Sequence, residues 1–184
     1  MSNLRGKCEK IKLIISDVDG VLTDGSIYKG PDGFEMKRFS VEDGAGIALA
    51  RAGGLKIALL SGRYSEATEA RAAELNIEDV YNGTLNKLPP YEDLKKKYNL
   101  SDDEIAYVGD GLIDLVIMEK VGVPISVQNG HALVKKVAVF TTIKNGGSGA
   151  LREAIEWILK GQGCYDETIQ IMRNYLLNHS NDEK

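Results

Sequence analysis

Histidine and cysteine are almost missing from this chain. The two His (His131 and His179) and the two Cys (Cys8 and Cys164) stand far apart in sequence, which argues against a zinc cluster and against a disulfide framework. Any catalysis then falls to carboxylates, Lys, Ser or a hard metal ion. Long apolar runs are missing too: no stretch approaches the roughly 18 residues that span a bilayer. The opening MSNLRGKCEK carries no signal-peptide core, so the expected location is the cytoplasm. Basic clusters are missing beyond Lys95, Lys96 and Lys97, and 23 Lys and Arg face 27 Asp and Glu for a net charge of −4. Such a surface offers no footprint for nucleic acid or for an anionic membrane. What remains, 184 residues of which 43% are hydrophobic, suits one globular domain.

Short apolar runs bounded by turn residues recur at 11–16, 55–60, 105–108, 123–127 and 137–140, with 79–81 a weaker example. They predict buried strands. Helical spacing fills the intervals 46–52, 65–75, 90–98, 112–120 and 150–159. The alternation predicts an α/β fold, a doubly wound, mainly parallel, Rossmann-like sheet with helices on both faces. Pro89 and Pro90 suit a helix start. Ser101-Asp102-Asp103-Glu104 has capping-box spacing ahead of a strand and marks at most a short helical turn. Residues 26–39 break the pattern, because Gly30-Pro31-Asp32-Gly33 is turn chemistry between two extended arms. A β-hairpin inserted after the first strand is expected there. Gly161-Gln162-Gly163 should end the domain at about residue 160; beyond it Tyr165, Ile169, Met172 and Leu176 keep helical spacing into a polar tail over 178–184.

The first strand runs straight into Asp17-Val18-Asp19-Gly20. Ligands of open α/β sheets bind beyond the carboxyl ends of strands, so both carboxylates emerge where a site is expected. A lone Asp-x-Asp after a strand is more often only a turn former or a helix cap. Ser61-Gly62, Lys87 and Gly109-Asp110 have similarly ordinary readings one at a time: a strand-to-helix turn, a solvated helix start and a loop. Several carboxylates without nearby His or Cys would suit an oxygen-seeking ion such as Mg²⁺.

Taken together these segments resemble the haloacid dehalogenase superfamily of phosphotransferases. Asp17-Val18-Asp19-Gly20-Val21-Leu22-Thr23 matches its first motif completely; Leu59-Leu60-Ser61-Gly62-Arg63, Asn86-Lys87-Leu88 and Ala106-Tyr107-Val108-Gly109-Asp110 follow in the family order. The likeness covers about residues 10–160. It implies an enzyme, a phosphomonoesterase in which Asp17 attacks phosphorus and Asp19 shuttles the proton. By the same resemblance Asp17, the Asp19 carbonyl and Asp110 would hold Mg²⁺, while Ser61, Gly62 and Lys87 would bind the phosphoryl oxygens and Asp114 would orient Lys87 or metal-bound waters. Gly111 departs from the second acid common at its position, which would weaken support around the metal.

Neither interval that carries a cap domain in larger relatives has room for one. The chain is most similar to the capless branch that contains the 3-deoxy-D-manno-octulosonate 8-phosphate phosphatases, through DVDGVLTDGSIY, FSVEDGAGI, LLSGR and NGGSGALRE. In that branch the hairpins pair around a tetramer axis, so a homotetramer is implied, with a small sugar phosphate as the only other partner. Ser40, Val41, Glu42, Asp43, Gly44, Arg63 and Arg71 match positions that contact the sugar acid; Arg suits a carboxylate because its fork bonds bidentately. The implied pathway is lipopolysaccharide precursor synthesis. Arg63 favours the eight-carbon substrate, whereas Ala48 stands where a basic residue is usual. A nonulosonate 9-phosphate phosphatase and a weakly active oligomerisation module therefore stay open. Gly146, Gly147 and Gly149 are expected to allow close chain approach near a neighbouring site, or simply a flexible lead into the last helix.

Overall fold

A computed structural model describes residues 2–179. Helix α1 (Ser2–Cys8) precedes strand β1 (Leu13–Ser16), and a hairpin of β2 (Tyr28–Lys29) and β3 (Glu35–Met36) follows. The chain continues through α2 (Val41–Ala52), β4 (Lys56–Ser61), α3 (Glu66–Glu74), β5 (Asp79–Asn82), α4 (Leu88–Tyr98) and β6 (Ile105–Gly109). It ends with α5 (Leu115–Met118), β7 (Val123–Ser126), α6 (Ala132–Val137), β8 (Phe140–Thr141), α7 (Ala150–Gln162) and α8 (Tyr165–His179).

Six parallel strands form one sheet in the order β5-β4-β1-β6-β7-β8. Alternate residues of each central strand serve opposite faces, and both faces are covered, which is why these strands read as unbroken apolar runs. Ile14, Leu59, Ala106 and Val108 pack with α2, α7 and α8, whereas Leu13, Ile15, Leu60, Ile105 and Tyr107 pack with α4, α5 and α6. The doubly wound α/β expectation holds. The chain leaves β1 toward β4 on one side and returns to β6 on the other. The carboxyl end of β1 is therefore the switch point, where such sheets open a crevice.

The hairpin pairs as a separate antiparallel sheet with Tyr28 opposite Met36, and a Thr23–Phe39 bridge closes its base. Among the described residues it is the only structure between β1 and α2, and there is no cap domain.

Four features depart from the sequence reading. The run 137–140 is not one strand: Val137 ends α6, which His131 caps by accepting from Leu133 N at 3.2 Å, and pairing begins only at Phe140. Val137 and Ala138 pack on one face of the sheet, Val139 and Phe140 on the other, so similar residues serve two elements. Helix α1 has no strong sequence signal; it is held by packing on α7, where Gly161 leaves room for Cys8. Gly161 consequently lies inside α7, and Gly163 alone ends it, at φ +76° with its N–H on Leu159 and Lys160 carbonyls. Tyr165, Ile169 and Met172 of α8 pack on the core as their spacing implied, and Asn178 and His179 still belong to that helix. The Leu176 side chain and the rest of the expected tail, 180–184, lie outside the described residues.

Candidate active site

Asp17 follows the last residue of β1, its N–H bonded to Val108 O at 2.9 Å, so pairing with β6 carries it to the crevice. Gly20 then turns the chain at φ +97°; a Cβ there would lie 2.2 Å from Asp110 Oδ2. Thr23 braces the turn, its Oγ1 accepting from Gly20 N and Gly25 N at 3.2 Å. Gly109 ends β6 beside this loop and delivers Asp110.

One ligand oxygen from each of Asp17, Asp110 and Asp114 falls within 4.8 Å of the others. Lys87, the residue before α4, has a fully buried ammonium 2.9 Å from Asp17 Oδ1 and 2.7 Å from Asp114 Oδ1. It is no solvated helix start. Tyr107 donates to Asp114 Oδ1 at 2.6 Å and accepts from Lys87 Nζ at 2.9 Å. Asp114 Oδ2 accepts from the backbone N–H groups of Asp110 and Gly111 at 3.0 and 2.9 Å. Four donors saturate a carboxylate, so Asp114 anchors Lys87 and the Asp110 loop and has no lone pair free for a metal.

Burial dominates the electrostatics. It pushes the Asp17 carboxyl upward against the opposing pull of Lys87. It raises Asp110 to about 6, with Asp114 adding to the effect. For Lys87 burial acts downward, but Asp17 and Asp114 overcome it and hold the ammonium above its ordinary range. Tyr107 is driven well above its ordinary value, chiefly by burial and then by Asp114, and so remains a donor. Three carboxylates against one ammonium leave two negative charges in excess, and all donors are oxygen. Both facts fit a hard divalent cation held by Asp17 and Asp110.

Asp19 stands outside that three-carboxylate cluster. Its Oδ1 forms an ion pair with Lys37 Nζ at 2.7 Å. Ser61, at the end of β4, is buried and donates to Arg63 O at 2.7 Å. Gly62 is hemmed by Ile113, whose Cδ1 would lie 2.8 Å from a Cβ.

The residues matched to sugar-acid contacts divide into groups. Arg63 is gripped bidentately by Glu35 of β3. Arg71 is no solvated helix face: it donates to Ser40 O at 3.2 Å, pairs with Glu74 at 2.8 Å and lies over the Phe39 ring. Ser40 caps α2, accepting from Glu42 N at 3.1 Å; Gly44 lies beneath Arg71, and Val41 is exposed. Glu42 pairs with Lys144 and Arg152. Asp43 is buried and accepts from Gly149 N and Arg152 N at 3.2 and 3.1 Å, so the fold spends it on the start of α7. Gly146 and Gly147 do permit a close approach, but to this chain's own loop: a Gly146 Cβ would lie 1.7 Å from Gly20 O, and Gly147 N donates to Val21 O at 2.9 Å. Ala48 lines a surface groove with Ile171 and Met172 of α8, so the side chain at this position lies toward the C-terminal helix.

Sequence reasoning missed Tyr107 and Lys37. Tyr107 shares a strand face with Ile105, a two-residue period that could have marked it as inward-pointing. Lys37 shares an arm face with Glu35, but nothing local says that a Lys is buried.

A family model for haloacid dehalogenase-like hydrolases matches residues 68–155, a span holding Lys87, Asp110 and Asp114 but beginning after Asp17. The 3-deoxy-D-manno-octulosonate 8-phosphate phosphatase of Escherichia coli strain B is 43% identical over 166 residues, 90% of this chain and 88% of that protein. A Legionella pneumophila structure described as a haloacid dehalogenase superfamily (subfamily III A) hydrolase superposes with TM-score 0.91 at 37% identity, over 95% of this chain and 96% of its own. The 3-deoxy-D-manno-octulosonate 8-phosphate phosphatase of Moraxella catarrhalis, solved with magnesium, phosphate and the sugar acid, gives TM-score 0.88 at 39% identity, over 92% of this chain and 98% of that one.

Proposed function

Because the chain belongs to the haloacid dehalogenase-like hydrolases, we propose that it is a Mg²⁺-dependent phosphomonoesterase. Its substrate is 3-deoxy-D-manno-octulosonate 8-phosphate, split to the free sugar acid and phosphate in lipopolysaccharide precursor synthesis. The buried Asp17–Lys87–Asp114 linkage carries this reading. A scaffold has no reason to desolvate three charged groups at a sheet switch point, because an unrewarded buried charge is expensive.

The chemistry divides among the chain's own groups. Asp17 is the nucleophile, forming an aspartyl-phosphate. Asp19 gives a proton to the departing sugar oxygen, then takes one from the water that releases phosphate. Lys87, Ser61 and the Gly62 amide hold the phosphoryl oxygens, Lys87 in an orientation fixed by Asp114 and Tyr107. Asp17, Asp110 and the Asp19 carbonyl would hold Mg²⁺, which when bound would offset the charge of the phosphate dianion. Gly111 leaves Asp110 in place, and its backbone N–H still bonds Asp114. Arg63 and Arg71 receive the sugar acid with Ser40, Val41, Glu42 and Gly44, while Asp43 of the same segment fixes the start of α7; Arg63 is placed by its pair with Glu35.

The working enzyme is a homotetramer in the cytoplasm, assembled through the hairpin. Its arms, two residues each, are too short to be stable alone, and Ile27, Tyr28, Phe34 and Met36 expose apolar surface. The chain divides into a phosphatase domain over 1–160 and a C-terminal helical extension and tail over 161–184, with α7 running two residues past that boundary.

Inorganic phosphate release from the eight-carbon substrate and from a nonulosonate 9-phosphate, each with and without Mg²⁺, tests the assignment. The larger kcat/KM is expected on the eight-carbon ester, with turnover abolished in Asp17→Asn at unchanged circular dichroism. Retained turnover in that variant overturns the role of Asp17 as nucleophile. A larger kcat/KM on the nine-carbon ester moves the substrate to the nonulosonates.

A further inference from the structure

Lys37 stands one residue past β3, between the hairpin and the Thr23–Phe39 bridge that closes it. Its side chain has no exposed surface. An ammonium is tolerated in such a place only if partners replace its water. Two do: Asp19 Oδ1 at 2.7 Å and Thr68 Oγ1 at 3.1 Å, the latter buried in the first turn of α3. The Lys37–Asp19 contact is a charge pairing rather than a well-directed hydrogen bond. Asp19 Oδ1 is itself buried, yet the side chain as a whole is 28% exposed. With Oδ1 buried, Oδ2 is the oxygen left free of Lys37 for the substrate. A second buried lysine, Lys87, already serves Asp17. Each of the two carboxylates that carry the chemistry thus has its own buried cation, and that of Asp19 is supplied from the hairpin.

We propose that Lys37 is the positioning residue of Asp19, pinning Oδ1 so that Oδ2 meets the ester oxygen of the substrate. This rests on the phosphomonoesterase reading above. An oxygen of Asp17 bonds to phosphorus as the ester P–O bond breaks, and the electron pair stays with the leaving oxygen, which takes the proton from Asp19 Oδ2. Asp19 then removes a proton from water, whose oxygen bonds to phosphorus while the bond to Asp17 breaks and returns its electron pair to that carboxylate. Only a basic leaving group needs the first proton. An alkoxide does; p-nitrophenolate does not. Misplacing Asp19 therefore penalises an alkyl ester more than an aryl ester.

The test is kcat/KM, which covers the steps through leaving-group departure, on 3-deoxy-D-manno-octulosonate 8-phosphate and on p-nitrophenyl phosphate with Mg²⁺. For Lys37→Met the alkyl-to-aryl ratio should fall about 10- to 100-fold, part of the 10²–10⁴-fold that a placed proton donor supplies. Lys37→Arg should restore most of it, and Thr68→Val should lower it by a smaller factor. Because the ratio is taken within one preparation, it is independent of the fraction folded. Equal losses on both esters would overturn the role of Lys37 and leave the phosphatase reading standing. Failure of the unaltered enzyme on both esters would overturn both.

Discussion

Lys87 shows how far a single side chain depends on its surroundings. In sequence it is one Lys among many; in the fold it lies between two acidic groups without any exposed surface. Removing one partner of a buried ion pair costs about 3–5 kcal/mol because the other charge is stranded. Lys87→Met should therefore unfold at markedly lower urea concentration as well as lose activity, and an unchanged midpoint would contradict so complete a burial. Asp17 and Asp110 make the opposite kind of contribution. Both are raised above the ordinary Asp value, so without metal their effect on stability is most favourable at low pH and fades as pH rises through about 6 for Asp110. Mg²⁺ competes with those protons. The Mg²⁺-induced rise in Tm should be larger at pH 7.5 than at pH 5, and equal rises at the two pH values would disprove the linkage. Cys8, by contrast, takes no part: burial first, and then the charge of Glu9, push its thiol up to about 11, and it serves as packing against Gly161.

At the scale of elements, the central strands were legible because burial on both faces makes them continuous apolar runs, and the acidic loop after β1 was legible because it is one contiguous motif. Helix α6 was not, since its six residues are set by a His131 cap and by Val134 reaching a core built from distant strands. Asp43 was misleading for a related reason: it lies in a segment that resembles substrate contacts, yet its partners are N–H groups more than a hundred residues away. The segment before α7 is likewise defined by what it touches. Gly146 and Gly147 lie against the loop bearing Gly20, Thr23 and Asp24, so the segment before α7 braces the loop after β1. Gly146→Ala must displace that loop. Overpacking of this kind costs roughly 1–3 kcal/mol, or about 2–12 °C in Tm for a chain of this size. Calorimetry should show that fall together with a loss of turnover, and a Tm within 1 °C of the unaltered protein would mean that the loop yields freely.

For the molecule as a whole, the proposed hairpin interface would join assembly to chemistry. Glu35 holds Arg63 and Lys37 holds Asp19, while Phe34 and Met36 expose apolar surface on the same short segment. Phe34→Glu should lower the mass measured by sedimentation velocity and raise KM for the sugar-acid phosphate; an unchanged mass would exclude the hairpin as the interface. A net charge of −4 is no obstacle to the proposed anionic substrate, because Lys87, Arg63 and a divalent cation would act at contact range, whereas dispersed surface charge is screened within about 8–10 Å. Local periodicity and the choice of side chains were enough to set the doubly wound plan, the order of the motifs and the oxygen-only character of the site. Which of those groups meet was left to tertiary folding: Asp114 is consumed by Lys87, Tyr107 and two backbone amides, Asp43 belongs to α7, and Lys37 is buried against Asp19. Those outcomes depend on desolvation and on contacts between distant segments, neither of which is encoded in the neighbours of any one residue.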